Sequence, residues 1–130
     1  MLRLGRCIAD VKIETLVMMD SLDMKEEHRQ LILSCCLKSR EKRIVITHGT
    51  DTMAETARYL SKLISNKTIV LTGAMVPYKF GSSDGLFNLG SALAFVQTLP
   101  AGVYVAMNGK YFLAGKVMKN KMKGVFENKE

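Results

Sequence analysis

Thr47-His48-Gly49-Thr50-Asp51-Thr52 brings three threonine hydroxyls, an imidazole and a carboxylate together at one turn. The β-prone run Val45-Ile46 precedes it and cap-forming residues follow, so the stretch predicts a strand that turns at Gly49 into a helix N-terminus. Backbone N–H groups at such an end favour an anion or a carbonyl dipole. A threonine hydroxyl is a weak nucleophile unless a base stands beside it, and a lysine held near Asp51 in a low-dielectric site could be that base. The alternative is that Thr50 and Asp51 only cap the helix. There is no Gly-rich run ending in Gly-Lys-Ser/Thr and no Gly-x-Ser-x-Gly. Those absences exclude a phosphate loop and a serine-hydrolase elbow.

The elements that must hold this turn follow from patterning. Residues 11–19 are β-prone and partly alternating, which predicts a strand. Asp23 with Glu26 signals a helix start, and an apolar face continues to about residue 37. Residues 42–47 predict a short buried strand around Ile44-Val45-Ile46. A helix capped by Thr50 or Asp51 should run to about residue 65. Residues 68–72 predict a second buried strand, 73–83 a loop, and Asp84 the cap of a helix reaching about residue 99. Residues 103–107 predict a strand, and Asn108-Gly109 is a strong hairpin signal with a return strand at 110–113. Strands alternating with helices imply an α/β fold, here a three-layer, doubly wound, mostly parallel sheet. Because the first predicted element is a strand with no helix before it, the chain is expected to begin part-way into a fold. Ligands of open α/β sheets bind outside the carboxyl ends of the strands. Four turns should lie there, at Asp20-Ser21-Leu22-Asp23, at His48 to Asp51, at Gly73 to Pro77 and at Asn108-Gly109.

Composition narrows the function classes. The chain has 130 residues, 48% of them hydrophobic, and a formal charge of +7, which suits one globular domain. The positive charge gathers in Lys38-Ser39-Arg40-Glu41-Lys42-Arg43 and in the lysines at 116, 119, 121 and 123. The first cluster has no interleaved aromatic residues for base stacking, so a solvated face is expected rather than a nucleic-acid surface. Cys7, Cys35 and Cys36 form neither a disulfide framework nor a metal set, and His28 and His48 add no carboxylate cluster, so no metal is expected. No apolar run approaches the ~20 residues needed to span a bilayer. Charges among the first ten residues break any secretory apolar stretch, and a cytoplasmic location is expected.

The motif residues resemble the bacterial-type L-asparaginase family. The likeness rests on Ile46-Thr47-His48-Gly49-Thr50-Asp51-Thr52-Met53 with Glu55-Thr56, on Val70-Leu71-Thr72-Gly73-Ala74-Met75-x-Pro77, on Ser83-Asp84-Gly85-x-Phe87-Asn88-Leu89, and on Asp20-Ser21-Leu22-Asp23-Met24. It runs over about residues 11 to 125. It implies the fold of the asparaginase N-terminal domain across residues 1–130, and hydrolysis of a side-chain amide to carboxylate and ammonia without a cofactor. It also implies a triad of Thr50, Asp51 and a downstream lysine. Counting from Asn108 gives Lys119, with Lys116 and Lys121 as neighbours that could take the place. The implied substrate-binding residues are Ser21, Gly49, Thr50, Asp51 and Ala74. Ser21 would hold the substrate carboxylate, Asp51 its α-amino group, and the Ala74 main chain the amide. The implied partner is a small molecule, L-asparagine or L-aspartate, with neither nucleic acid nor membrane, in a homo-oligomer.

Three departures accompany the likeness. No Thr-Gly-Gly occurs in the chain, although the family's primary nucleophile sits in such a strand, so the expected domain is N-terminally incomplete. Leu22 stands where the family carries a polar residue. The family's smaller C-terminal domain has no counterpart within these residues. A catalytically impaired amino-acid-binding remnant or subunit is therefore the alternative reading.

Overall fold

A computed structural model of the chain describes residues 1–77 and 81–129. Its centre is a four-stranded sheet in the order β1 (Arg43–Thr47), β2 (Thr68–Thr72), β3 (Gly102–Met107) and β4 (Lys110–Leu113). The first three are parallel, with Thr47 level with Thr72 and Leu71 level with Val105. β4 returns antiparallel through the Asn108-Gly109 turn. All five residues of β2 are buried, as a parallel strand covered on both faces requires.

The period of two along these strands sorts the core into two layers. Ile69, Leu71, Val103 and Val105 face Met53, Ala57 and Leu60 of α2 (Met53–Ser61), together with Ile32 and Cys36 of α1 (Glu26–Lys38). Val70, Tyr104 and Ala106 face Ala92 and Val96 of α3 (Gly85–Thr98). The result is an α/β fold with helices on both faces of a mostly parallel sheet. Sheets of this kind usually cover both faces by reversing strand order. Here β1-α2-β2 and β2-α3-β3 step the same way through the sheet, yet their helices lie on opposite faces. The two crossovers therefore have opposite hands, so one of them departs from the right-handed rule.

A separate two-stranded hairpin, β5 (Val117–Asn120) with β6 (Val125–Asn128), follows a 3-10 turn at Ala114–Lys116. Val117 and Phe126 sink into the core beneath α2.

Several predicted boundaries shift. Residues 11–19 form no regular element and join no ladder among the described residues; β1 is an edge of the sheet, and Ile13 and Met18 stay exposed while Leu16 touches the core. Asp23 caps nothing, because Asp20-Ser21-Leu22-Asp23 closes as a 3-10 turn in which the Asp20 carboxylate accepts the Leu22 N–H. α1 begins two residues later, where His28 Nδ1 accepts the Lys25 N–H. α2 ends at Ser61 because the Leu60 carbonyl takes the N–H groups of both Leu63 and Ile64. The predicted loop 73–83 includes residues 78–80, which lie outside the described residues.

Candidate active site

The carboxyl ends of β1, β2 and β3 bring three of the predicted turns to one edge. Two glycines allow the closest approaches. A Cβ on Gly49 would lie 2.7 Å from Ser21 Oγ, and one on Gly73 would lie 2.2 Å from the His48 carbonyl. No side chain fits at either distance, so glycine is what lets the turns after β1 and β2 nest against each other and against Asp20–Asp23.

Neither Thr50 nor Asp51 caps α2. The N-cap is Thr52, whose hydroxyl instead donates to the Ser21 carbonyl at 2.8 Å. That bond ties the two turns together and leaves Thr50 and Asp51 free to face β5. There Lys119 Nζ lies 2.8 Å from Thr50 Oγ1 and 2.8 Å from Asp51 Oδ1. Strand alternation explains why this lysine arrives: Lys119 shares a face with buried Val117, while Met118 points outward. Lys116 and Lys121 are exposed and lie outside the strand. The hydrogen bond from Lys119 is the main cause that holds the Asp51 carboxyl below its ordinary range, against a smaller opposing effect of burial.

Ser21 is 2% exposed and its hydroxyl has no hydrogen-bond partner among the described residues. A buried polar group in that state is costly, so an orphaned hydroxyl beside a candidate site is a natural hydrogen-bond partner for a ligand, and toward a carboxylate it donates. A cavity of about 300 Å³ opens between the Thr47-His48-Gly49 and Thr72-Gly73-Ala74 segments, with Leu89 and Met1 completing its wall. Gly49 and Ala74 line it; Ser21, Thr50, Asp51 and Lys119 do not. The lysine cluster and the cavity therefore share only the Gly49 turn.

Buried polar side chains whose partners local patterning does not reveal pin this edge. His48 Nδ1 is 2.7 Å from the Gly49 carbonyl, which can only accept, so Nδ1 carries the proton. Nε2 then accepts from the Thr56 hydroxyl at 2.9 Å, and Thr56 Oγ1 in turn receives Arg29 Nε at 3.1 Å. Burial lowers the His48 pKa and keeps the imidazole neutral. Across the edge, the Asp84 carboxylate accepts the Met75 and Val76 N–H groups, both at 3.0 Å. Asn88, 1% exposed, donates to Asp84 at 2.9 Å and to the Gly73 carbonyl at 2.8 Å. A visible signal was Asn88 itself, a lone amide within the apolar run Leu86-Phe87-Asn88-Leu89. Among the described residues, no group of three or more His, Cys, Asp or Glu is arranged to hold a metal ion. Among the described residues no helix is long and apolar enough to cross a membrane.

Residues 2–126 match the family model described as Asparaginase, N-terminal. An L-asparaginase of Thermococcus kodakarensis is 47% identical over 78 residues, covering 58% of this chain and 24% of that protein. A probable periplasmic L-asparaginase of Haemophilus influenzae is 40% identical over 119 residues, covering 86% of this chain and 34% of that protein. The crystal structure of a probable cytoplasmic L-asparaginase from Campylobacter jejuni superposes with a TM-score of 0.85 at 35% identity, over 98% of this chain and 42% of that one. The chain thus spans about a quarter to a third of the two curated relatives. A family match across nearly its whole length, together with a shared fold at this level of identity, means that the chain belongs to the asparaginase family.

Proposed function

We propose that the chain is an asparaginase-type amidohydrolase acting on L-asparagine or a similar amide, with residues 1–130 working as one N-terminal-type unit. The convergence of Lys119 Nζ on Thr50 Oγ1 and Asp51 Oδ1 carries this reading. In the reaction, water oxygen adds to the amide carbon, the C–N bond breaks, and the nitrogen leaves with the transferred proton as ammonia. Lys119 must first shed its ammonium proton; its amine then takes the proton from Thr50 or from the attacking water and returns it to the leaving nitrogen. Asp51 orients Lys119 and receives the substrate's α-amino group. Ser21 and the Gly49 turn receive the α-carboxylate, and the Ala74 main chain meets the amide, where backbone donors at the strand edge stabilise the oxyanion.

The comparisons support this chemistry through the names of the relatives. With Thr-Gly-Gly absent from the chain, Thr50 is the motif threonine that remains. Ammonia release from L-asparagine by the purified chain tests the reading. Release above the level of a Thr50→Val variant is expected, and equal release from the two would remove the enzymatic claim. The orphaned Ser21 hydroxyl favours a second reading, in which the site binds an amino acid without turning it over. Calorimetric titration with L-aspartate separates the two, because binding without ammonia release selects the second. A cytoplasmic homo-oligomer completes the proposal. It is supported by the open edge at β1, by exposed Ile13, Met18 and Leu22, and by the name of the Campylobacter relative.

A further inference from the structure

Among the described residues the hairpin that delivers Lys119 belongs to no larger sheet. A lone two-stranded hairpin is marginally stable in water, so something else must hold it in place. Val117 and Phe126 anchor it in the core, and hydrogen bonds to neighbouring elements add direction to that packing. Among the described residues, three hydrogen bonds join it to the rest of the chain. Two are those of Lys119 itself, and the third runs from the Phe126 N–H to Asn108 Oδ1 at 2.8 Å. Phe126 stands directly opposite Lys119 in the β5–β6 register.

Asn108 is itself held. Its N–H donates to Asn88 Oδ1 at 3.3 Å, and the Asn88 amide grips the Gly73 carbonyl and the Asp84 carboxylate. Asp84 then fixes the N–H groups of Met75 and Val76. One buried amide is thereby the common post for the end of β3 at Asn108, to which the Lys119 hairpin is tied, and for the loop that carries Ala74.

We propose that Asn108 is a positioning residue for Lys119, its side-chain carbonyl locking the β5–β6 hairpin to Asn88 so that Lys119 Nζ reaches Thr50 and Asp51. Its value to the reaction rests on the amidohydrolase reading, whereas the positioning itself can be read without turnover.

The simpler role for Asn108 is to fill a turn. Its φ is +58° and that of Gly109 is +78°, a left-handed pair for which Asn-Gly is favoured. Glycine at 108 keeps that backbone and removes the acceptor; aspartate keeps an acceptor. The readout is the Asp51 carboxyl, followed by ¹³C NMR titration of the full chain. Lys119 and Lys121 are the cations acting on it. In Asn108→Gly the Asp51 midpoint is expected to rise toward the ordinary value of about 3.9. kcat for ammonia release is expected to fall roughly ten-fold or more, with KM changing less. Asn108→Asp should restore both. Thr68→Val, which loses a hydroxyl bond to the Leu99 carbonyl far from the hairpin, serves as a destabilised control and should move neither. An Asp51 midpoint unchanged in Asn108→Gly overturns the proposal, and so does failure of Asn108→Asp to restore it. A midpoint that moves in a chain that releases no ammonia leaves the positioning intact and removes the amidohydrolase reading instead.

Discussion

The imidazole of His48 and the carboxylate of Asp51 sit three residues apart and are perturbed for different reasons. At Asp51 the nearby Lys119 ammonium favours the charged form, so its folded-state pKa is lowered. The stability this contributes is complete above the unfolded value of about 3.9 and fades as pH falls through the folded value. At His48 burial disfavours the charged form, and the folded-state pKa is again lowered. As pH drops below about 6.5 the unfolded chain takes up the proton first, and stability declines toward the folded value. The urea midpoint of the parent chain is therefore expected to fall between pH 7 and pH 5. His48→Gln should flatten that fall, and equal slopes for the two chains would count against a buried neutral His48. At this scale the turn of Thr50 and Asp51 was marked out by its residue types and by the family likeness. Lys119 was reached by counting, and strand alternation explains its choice over Lys116 and Lys121. His48, Asn88 and Asn108 were not legible as pins: Asn88 stood out as a lone amide in an apolar run, but the partners that define the three roles, Thr56, Gly73 and Phe126, stand on other segments.

Among the elements, the strand ends and their turns decide the geometry. Gly73 follows β2 with no room for a methyl group, because the His48 carbonyl occupies the space. Gly73→Ala must push apart the β1 and β2 turns and is expected to cost on the order of 1–3 kcal/mol, read as a lower urea midpoint. The displaced Gly49 turn should also weaken binding of L-aspartate. A parent-like midpoint would mean that the turns are not packed as described. The parallel strands and α3 were legible because continuous apolar runs and cap residues mark them. The strand predicted at residues 11–19 was not realised: β-propensity alone does not make a ladder, and the segment pairs with no strand among the described residues although β1 keeps an open edge. α2 fell short of residue 65 because the Leu60 carbonyl draws in two N–H groups and closes the helix early.

For the molecule as a whole, family membership is shown over residues 2–126, while the relatives it matches are much longer. Helices on both faces were expected from strand-helix alternation, but the opposite hands of the two crossovers were not, since handedness leaves no mark in periodicity. What the fold achieves is the meeting of a turn after β1 with a lysine some seventy residues later, on a hairpin outside the main sheet. If that meeting is the catalytic centre, removing the amine must stop the reaction without unfolding the chain. The most direct measurement is the rate of ammonia release from L-asparagine by Lys119→Met beside the parent, with circular dichroism on both. A kcat lower by about 10²-fold or more with an unchanged fold is expected, the usual worth of a positioned acid–base group. A rate within about two-fold of the parent would contradict the assignment of the Thr50, Asp51 and Lys119 cluster as the place where the amide is cleaved.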